Sequence, residues 1–421
     1  MTFLLIIADD FTGALDTGVQ FSAHGVQTQV VVGADIDLYD YQASVLVVDT
    51  ETRHLPASEA YRIVARLTRL AISAKVQYIY KKTDSALRGN IGAELAAVLE
   101  GSESRRIAFQ PAFPQTGRTT IAGIQCVDGI PVTESPFGKD PFDPVKHSVV
   151  VDLIAEQTDI SARCYPPLKE NQSVPDDGGI LVFDAETFDD LYQTGCELVR
   201  KGDFHIMAGC AGFAAVLPEL LDIPTGNSPE IPILDPRLLV ICGSVNPITQ
   251  RQLDIAGGQG FERLQLLPEQ KLDPGYWDSY DSRIQMNYIM NLLDDEPYCI
   301  IETNDPYDSE SSIDYASDHG ISRETMRIQI AESLGKVLDI ILNEGYQGTL
   351  LVTGGDTLLQ CMNCIGVKEL EPVCELKEGV VLAGFTYHGA KRYLISKSGG
   401  FGDEMLLIDI AVFLARQERR R

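Results

Sequence analysis

Short apolar runs alternate with longer amphipathic stretches through the first half of the chain, and no other feature restricts the fold as much. Residues 3–8, 29–32, 45–49, 78–82, 106–110, 180–183 and 205–208 read as strands. Residues 12–23, 57–72, 91–99 and a stretch ending near 200 read as helices. Apolar strands of this length, separated by helices, build a parallel sheet covered on both faces.

The alternation breaks once and then resumes. Residues 222–235 (DIPTGNSPEIPILD) place Pro224, Pro229 and Pro232 among turn formers. Strands follow near 238–242, 299–302, 349–353, 380–385 and 393–396, with helices near 322–343 and 403–417. Met326, Ile330, Leu334, Val337 and Ile341 share one face of the first of these helices. A chain of 421 residues exceeds one ordinary core. The expectation is an α/β protein of two domains, 1–228 and 229–421, each with a largely parallel sheet flanked by helices. The active site is expected in the interdomain cleft.

Composition narrows the partners. A net charge of −27 argues against nucleic acid, which needs a basic footprint. No apolar run approaches the roughly 20 residues of a membrane span, so no membrane partner is expected. The opening MTFLLIIADD lacks a basic leader and reads as a buried strand, not a signal peptide. Nine scattered cysteines, with Cys361 and Cys364 as a lone C-x-x-C, fit ordinary thiols in a reducing cytoplasm. The six histidines show no metal-ligand spacing, and no protein-held metal is expected. Residues 294–318 hold nine acids and no Lys or Arg, the pattern of a solvated surface. The basic residues from Arg416 to Arg421 complement a helix C-terminus.

Chemistry concentrates where strands end. Asp9 and Asp10 sit between the first strand and the first helix, followed by Thr12 and Gly13. Ligands of open α/β sheets bind beyond the carboxyl ends of the strands. Helix capping explains one of those polar residues but not two carboxylates and a glycine. The segment Lys81-Lys82-Thr83-Asp84-Ser85-Ala86-Leu87-Arg88-Gly89-Asn90 also joins a strand to a helix. Its three cations, one acid and two hydroxyls suit an anionic substrate, with Arg88 as a planar fork and Lys82 as a point charge. Asp84 could orient or deprotonate a hydroxyl. A third strand-end loop, Pro111 to Arg118, adds Arg118.

The second half carries glycine turns at Gly243-Ser244, Gly354-Gly355-Asp356-Thr357 and Ser398-Gly399-Gly400. Glycines let backbone N–H groups approach phosphate at a helix N-terminus. There is no P-loop, no G-x-G-x-x-G and no protein-kinase loop. The missing dinucleotide fingerprint counts against a dehydrogenase. A non-catalytic sensor would keep the pocket and do no chemistry.

The stretches ADDFTGALD, KKTDSALRGN, PAFPQTGR, the central GS turn, GGDT and SGGFG occur in this order over nearly the whole chain. Together they resemble the four-carbon acid sugar kinases. The resemblance implies a substrate-binding N-terminal domain and a nucleotide-binding C-terminal domain. It implies phosphorylation by ATP of the terminal hydroxyl of a small-molecule sugar acid such as threonate, erythronate or a 3-oxo-tetronate. The acid-sugar site would use Asp9, Asp10, Lys82, Asp84 and Arg88, with Ser85 and Arg118 beside them. The ATP site would use Ser244, Gly354, Gly355, Asp356, Thr357 and Gly399. Mg²⁺ would bridge the β- and γ-phosphates, and the general base would be Asp84, Asp9 or Asp10. A homodimer is the expectation from the base rate for soluble enzymes.

Overall fold

The computed structural model describes residues 2–139, 144–202, 204–306 and 311–418. Residues 307–310 of the acidic run and 419–421 of the basic tail lie outside the described residues. The chain divides into two compact units, Met1–Pro229 and Glu230–Arg421.

The first unit opens with β1 (Leu4–Ala8), α1 (Phe11–Ser22), β2 (Thr28–Val32), β3 (Val45–Asp49) and α2 (Ala57–Ser73). It continues with β4 (Tyr78–Lys82), α3 (Ile91–Gly101) and β5 (Arg106–Gln110). Next come β6 (Arg118–Ile121), β7 (Ile124–Val127), β8 (Ile130–Pro131) and α4 (Val150–Gln157). The unit closes with β9 (Ala162–Tyr165), β10 (Gly179–Phe183), α5 (Phe188–Lys201), β11 (Ile206–Gly209), α6 (Ala211–Ala214) and α7 (Leu217–Leu220).

Its main sheet runs β2-β3-β1-β4-β11-β5-β10-β9, and every pair is parallel. All five residues of β1 are buried, as its unbroken apolar sequence requires for a central strand. Leu5 and Ile7 pack into one core with Val64 and Leu67 of α2 and Leu95 and Val98 of α3. Helix α1 packs against α6 instead. The helices that follow β1 and β4 thus belong to different layers, and the strand order reverses between those strands. That is where open parallel sheets bind ligands.

Strands β6, β7 and β8 form a separate antiparallel meander absent from the sequence reading. Its two-residue turns are Ala122-Gly123 (φ 50° and 76°) and Asp128-Gly129 (φ 51° and 77°). Two positive φ angles are what a tight hairpin turn demands of these positions.

The second unit begins with β12 (Leu238–Cys242), α8 (Pro247–Gly257), β13 (Glu262–Gln265), α9 (Pro268–Leu272) and α10 (Tyr280–Asp295). Then come β14 (Tyr298–Glu302), α11 (Ser312–Asp318), α12 (Arg323–Asn343), β15 (Thr349–Thr353) and α13 (Gly355–Cys364). It ends with β16 (Glu369–Lys377), β17 (Val380–Tyr387), β18 (Ala390–Lys397) and α14 (Leu406–Glu418). The sheet order is β13-β14-β12-β15-β18-β17-β16. The first five strands are parallel, while β17 runs antiparallel to both its neighbours. Strand β16 carries Pro372 beside a register shift, where a residue without an N–H is tolerated.

On α12, Leu334, Val337 and Ile341 are fully buried, while Met326 and Ile330 are half-buried. Helices α12 and α13 pack closely at Gly335, where a Cβ would lie 2.6 Å from the Gln360 carbonyl and 2.8 Å from Cys364 Sγ. Among the described residues no helix is long and apolar enough to cross a membrane.

Gly335→Ala is therefore expected to lower the stability of the second unit by about 1–3 kcal/mol through overpacking. Trp277, the chain's only tryptophan, donates to Ser333 Oγ of α12 at 2.8 Å, so its fluorescence during urea denaturation reads the change directly.

Candidate active site

The parallel register sets Asp49, Ala8 and Lys82 abreast at the carboxyl ends of β3, β1 and β4. The loops that leave these ends are stitched together by backbone and side-chain bonds. Thr50 Oγ1 donates to the Ala8 carbonyl at 2.6 Å. The Arg53 N–H donates to the Asp9 carbonyl at 3.2 Å. Asn90 Nδ2 donates to the carbonyls of Thr52 and Leu55, each at 2.8 Å. Glu51 and Leu87 hold φ of 49° and 64°, a backbone strain that concentrates at functional sites.

Arg53 joins three carboxylates. Its Nε lies 2.7 Å from Asp9 Oδ2, and its Nη2 lies 2.6 Å from Asp10 Oδ1 and 3.7 Å from Asp84 Oδ1. Lys82 Nζ adds contacts of 3.0 Å to Asp10 Oδ1 and 3.6 Å to Asp9 Oδ1. Arg88 grips Asp84 with a two-pronged pair, Nε to Oδ2 and Nη2 to Oδ1, both 2.9 Å. Asp10 occupies the N-cap position of α1, yet its side chain makes no cap bond there. Glu51 Oε1 accepts the Phe11 N–H in its place, at 3.2 Å.

Burial alone would raise the Asp9, Asp10 and Asp84 carboxyls. The cations outweigh it: Arg53 then Lys82 hold Asp9 and Asp10 below the ordinary range, and Arg88 then Arg53 hold Asp84 well below. These three groups are firmly ionised and stay so at any physiological pH. Asp49 behaves in the opposite way. Burial and then the neighbouring Glu51 carboxylate push its carboxyl well above the usual range, while its Oδ1 accepts the Glu51 N–H at 3.2 Å.

The cluster has a solvent-facing edge. The Arg88 side chain is 30% exposed and its Cζ stands 5.2 Å over the Phe137 ring. Arg118 Cζ lies 5.8 Å from the same ring centre, so the third loop converges on the first two. Ser85 is half-buried, and its carbonyl accepts Gln125 Nε2 at 2.7 Å.

Two features differ from the sequence reading. Lys81 does not join the pocket, because adjacent strand residues face opposite sides of a sheet. It pairs under the sheet with Glu94 of α3 at 3.0 Å, both side chains essentially inaccessible. Its Nζ also donates to the carbonyls of Ile7 (3.1 Å) and Lys82 (2.7 Å), pinning the ends of β1 and β4. Arg53, the centre of the cluster, escaped the reading. Its signal was weak: one arginine four residues after a strand, in a loop with ordinary Thr and Glu.

In the second unit three glycine turns meet at Ser244. A Cβ on Gly399 would lie 2.6 Å from Ser244 Oγ, and one on Gly243 would lie 2.2 Å from Thr357 Oγ1. Gly354 is the N-cap of α13 at φ 103°, and its missing Cβ would lie 3.8 Å from the Ser244 N. Asn246 caps α8 by accepting the Ile248 N–H at 2.9 Å. The result is two helix N-termini and three bare backbone turns around one serine, an arrangement suited to phosphate. Gly355 opens α13, but Asp356 turns its carboxylate to Arg327 of α12 at 2.6 Å.

Residues 4–217 match the family described as a sugar-binding N-terminal domain, and residues 239–407 match the nucleotide-binding C-terminal domain. A D-threonate kinase of Salmonella typhimurium (strain LT2) is 29% identical over 98% of this chain and 98% of its own length. A D-erythronate kinase of Heliobacterium modesticaldum is 26% identical over 96% of this chain and 95% of its own. A crystal structure from Salmonella typhimurium LT2 shares the fold with a TM-score of 0.74 at 22% identity, covering 96% of this chain and 98% of that one.

Two substitutions test the cluster. A Cβ on Gly13 would stand 1.7 Å from Lys82 Nζ and 2.4 Å from Asp10 Oδ1, so Gly13→Ala must displace the lysine. Calorimetry should show sugar-acid binding weakened by at least about tenfold, the loss of one charge-assisted contact. Lys81→Met leaves Glu94 buried without its partner and should cost about 3–5 kcal/mol at neutral pH. Burial already raises the Glu94 carboxyl above 4.5. The folded variant therefore binds this proton more tightly than the unfolded chain, and its stability falls as pH rises. Denaturation at several pH values should show the penalty shrinking as pH is lowered toward that ordinary value.

Proposed function

Because this chain belongs to the four-carbon acid sugar kinase family, we propose that it transfers the γ-phosphate of ATP to the C4 hydroxyl of a tetronate such as threonate, erythronate or 3-oxo-tetronate. The observation that carries this reading is the Arg53-centred cluster: three ionised aspartates with Arg88 and Arg118 at its open edge. A sugar acid offers one carboxylate for those cations and several hydroxyls for the carboxylates.

In this reading Arg88 and Arg118 take the substrate carboxylate, where a planar fork gives direction as well as charge. Asp9 takes the acceptor hydroxyl. Its Oδ1 is buried and accepts no hydrogen bond, so it has capacity that Asp10 and Asp84 have spent on Arg53, Lys82 and Arg88. Asp10 and Asp84 hold the cations in register. A weakly basic carboxylate suffices, because phosphoryl transfer asks mainly for positioning and charge neutralisation.

The turns at Ser244, Gly354–Thr357 and Gly399 hold the nucleotide phosphates with backbone N–H groups. The cradle fits, since a Cβ at Gly399 or Gly243 would fill it. Mg²⁺ would arrive on the β- and γ-phosphates, neutralising their charge and keeping several waters. The hydroxyls of Ser244 and Thr357, which line these turns, would be the oxygens to receive those waters.

The test is ADP release from Mg-ATP with each four-carbon sugar acid and stereoisomer taken separately, followed by NMR of the product to locate the phosphate. Fast release with one or two acids, and phosphate on C4, is the expected result. Tetronate binding without release would favour a sensor. Arg88→Ala should lower kcat/KM for the best acid by about 10–100-fold, the worth of a charged hydrogen bond, while ATP binding persists. Unchanged kcat/KM would remove Arg88 from the site.

A further inference from the structure

Four lysines among the described residues are buried: Lys81, Lys82, Lys271 and Lys397. Three of them sit against a carboxylate, Lys81 on Glu94 at 3.0 Å, Lys82 on Asp10 at 3.0 Å and Lys271 on Asp305 at 2.5 Å. Lys397 has no such partner. It ends β18 with 0% exposure, and its Nζ donates to Thr249 Oγ1 at 2.9 Å, the Ser398 carbonyl at 3.1 Å and the Gly399 carbonyl at 3.3 Å. Three donors meet three neutral oxygens, so its hydrogen bonds are satisfied and its charge is not.

We propose that Lys397 is a positioning residue for the nucleotide, fixing the Gly399 turn and Thr249 beside Ser244 while the bound phosphates supply its missing counter-charge. This inference rests on reading the second unit as the ATP-binding half. The geometry places the lysine one atom behind that half-site. Thr249 Oγ1, which accepts from Lys397, donates in turn to the Gly399 carbonyl at 2.6 Å and lies 3.5 Å from Ser244 Oγ. The ammonium therefore holds the Ser398 and Gly399 carbonyls on its own side of the turn. A buried charge is otherwise paired or given up.

The groups around it offer no substitute. Cys242 and Lys397 flank Thr353 in one register row of the sheet. Burial pushes the Cys242 thiol up to about 12, so it is neutral. Glu302, beyond Cys242, is taken by Arg263 at 2.6 Å. On α8, Arg251 pairs with Glu404 and Asp254 with Arg263, and past the turn Asp403 pairs with Lys377. The residue opposite Lys397 on β17 is Val380. Burial consequently draws the ammonium down to about 8, near enough to neutrality to titrate.

A phosphate nearby must raise that value, so nucleotide binding should take up protons near pH 8, where Mg-ATP itself is fully ionised. Titration calorimetry of the full chain with Mg-ATP, in two buffers of different ionisation heat at pH 8, measures the uptake. The expected result is a clear fraction of one proton taken up, with affinity falling as pH rises from 7 to 9. Lys397→Met should bind Mg-ATP at least about tenfold more weakly at pH 7, with little pH dependence and unchanged tetronate binding. Its nucleotide-free Tm should rise, because an unpaired buried charge has gone; a purely structural lysine would give a fall. Wild-type binding with no proton uptake, or a methionine variant that binds as tightly as wild type, would overturn the role of Lys397 and leave the kinase reading intact. Wild type that binds no nucleotide would overturn both.

Discussion

Three carboxylates cannot be buried together unless a cation is buried with them, and Arg53 is the group that meets this condition for Asp9, Asp10 and Asp84. Its planar fork reaches two of them at hydrogen-bond distance and a third at 3.7 Å. A lysine could not span them from one position. Everything else in the cluster follows from bringing this side chain in. The loop after β3 adopts a strained backbone at Glu51, and Asn90 clamps the carbonyls on either side of Arg53. The site is thus a property of three loops at once, and none of them holds its shape alone.

Both units use glycine for close approach, to different ends. In the first, Gly13 leaves room for the ammonium of Lys82. In the second, Gly243 and Gly399 leave room for the hydroxyls of Thr357 and Ser244, and the backbone is laid bare. One half gathers formal charges, while the other gathers partial charges on N–H groups. That division matches the proposed function, in which one half takes a carboxylate with its hydroxyls and the other a phosphate chain.

The alternating layout was legible because buried parallel strands are short, apolar and separated by helices. Asp9, Asp10, Lys82, Asp84 and Arg88 stood out because polar residues crowd the ends of two such strands. Arg53 did not, since a lone arginine in a polar loop looks like any surface arginine until its three partners are known. Lys81 was readable as facing away, because strand neighbours alternate, but local density of charge hid it. The meander at residues 118–131 was missed even though Asp128-Gly129 is a strong hairpin signal. Strand β16 was missed for a better reason, with Pro372 and scattered acids that argue against a strand. Its direction, like that of β17, depends on pairing partners that no local pattern encodes.

The position of β11 shapes how the first unit comes into being. It is the last strand of that unit to leave the ribosome, yet it lies between β4 and β5. Until it arrives, β2-β3-β1-β4 and β5-β10-β9 are two half-sheets, each with an open inner edge. About 100 residues separate Gln110 from Gly209, which at 5–20 residues per second is roughly 5–20 s of synthesis. During that interval the nascent chain exposes the strand edges most prone to mispairing. When β11 inserts, Gly209 comes to lie beside Lys82 in the sheet, and its carbonyl accepts the Thr83 N–H at 2.8 Å. Closure of the sheet and completion of the loops around Lys82 are one event, so a nascent chain cut short of this strand exposes an edge before the charged cluster is whole.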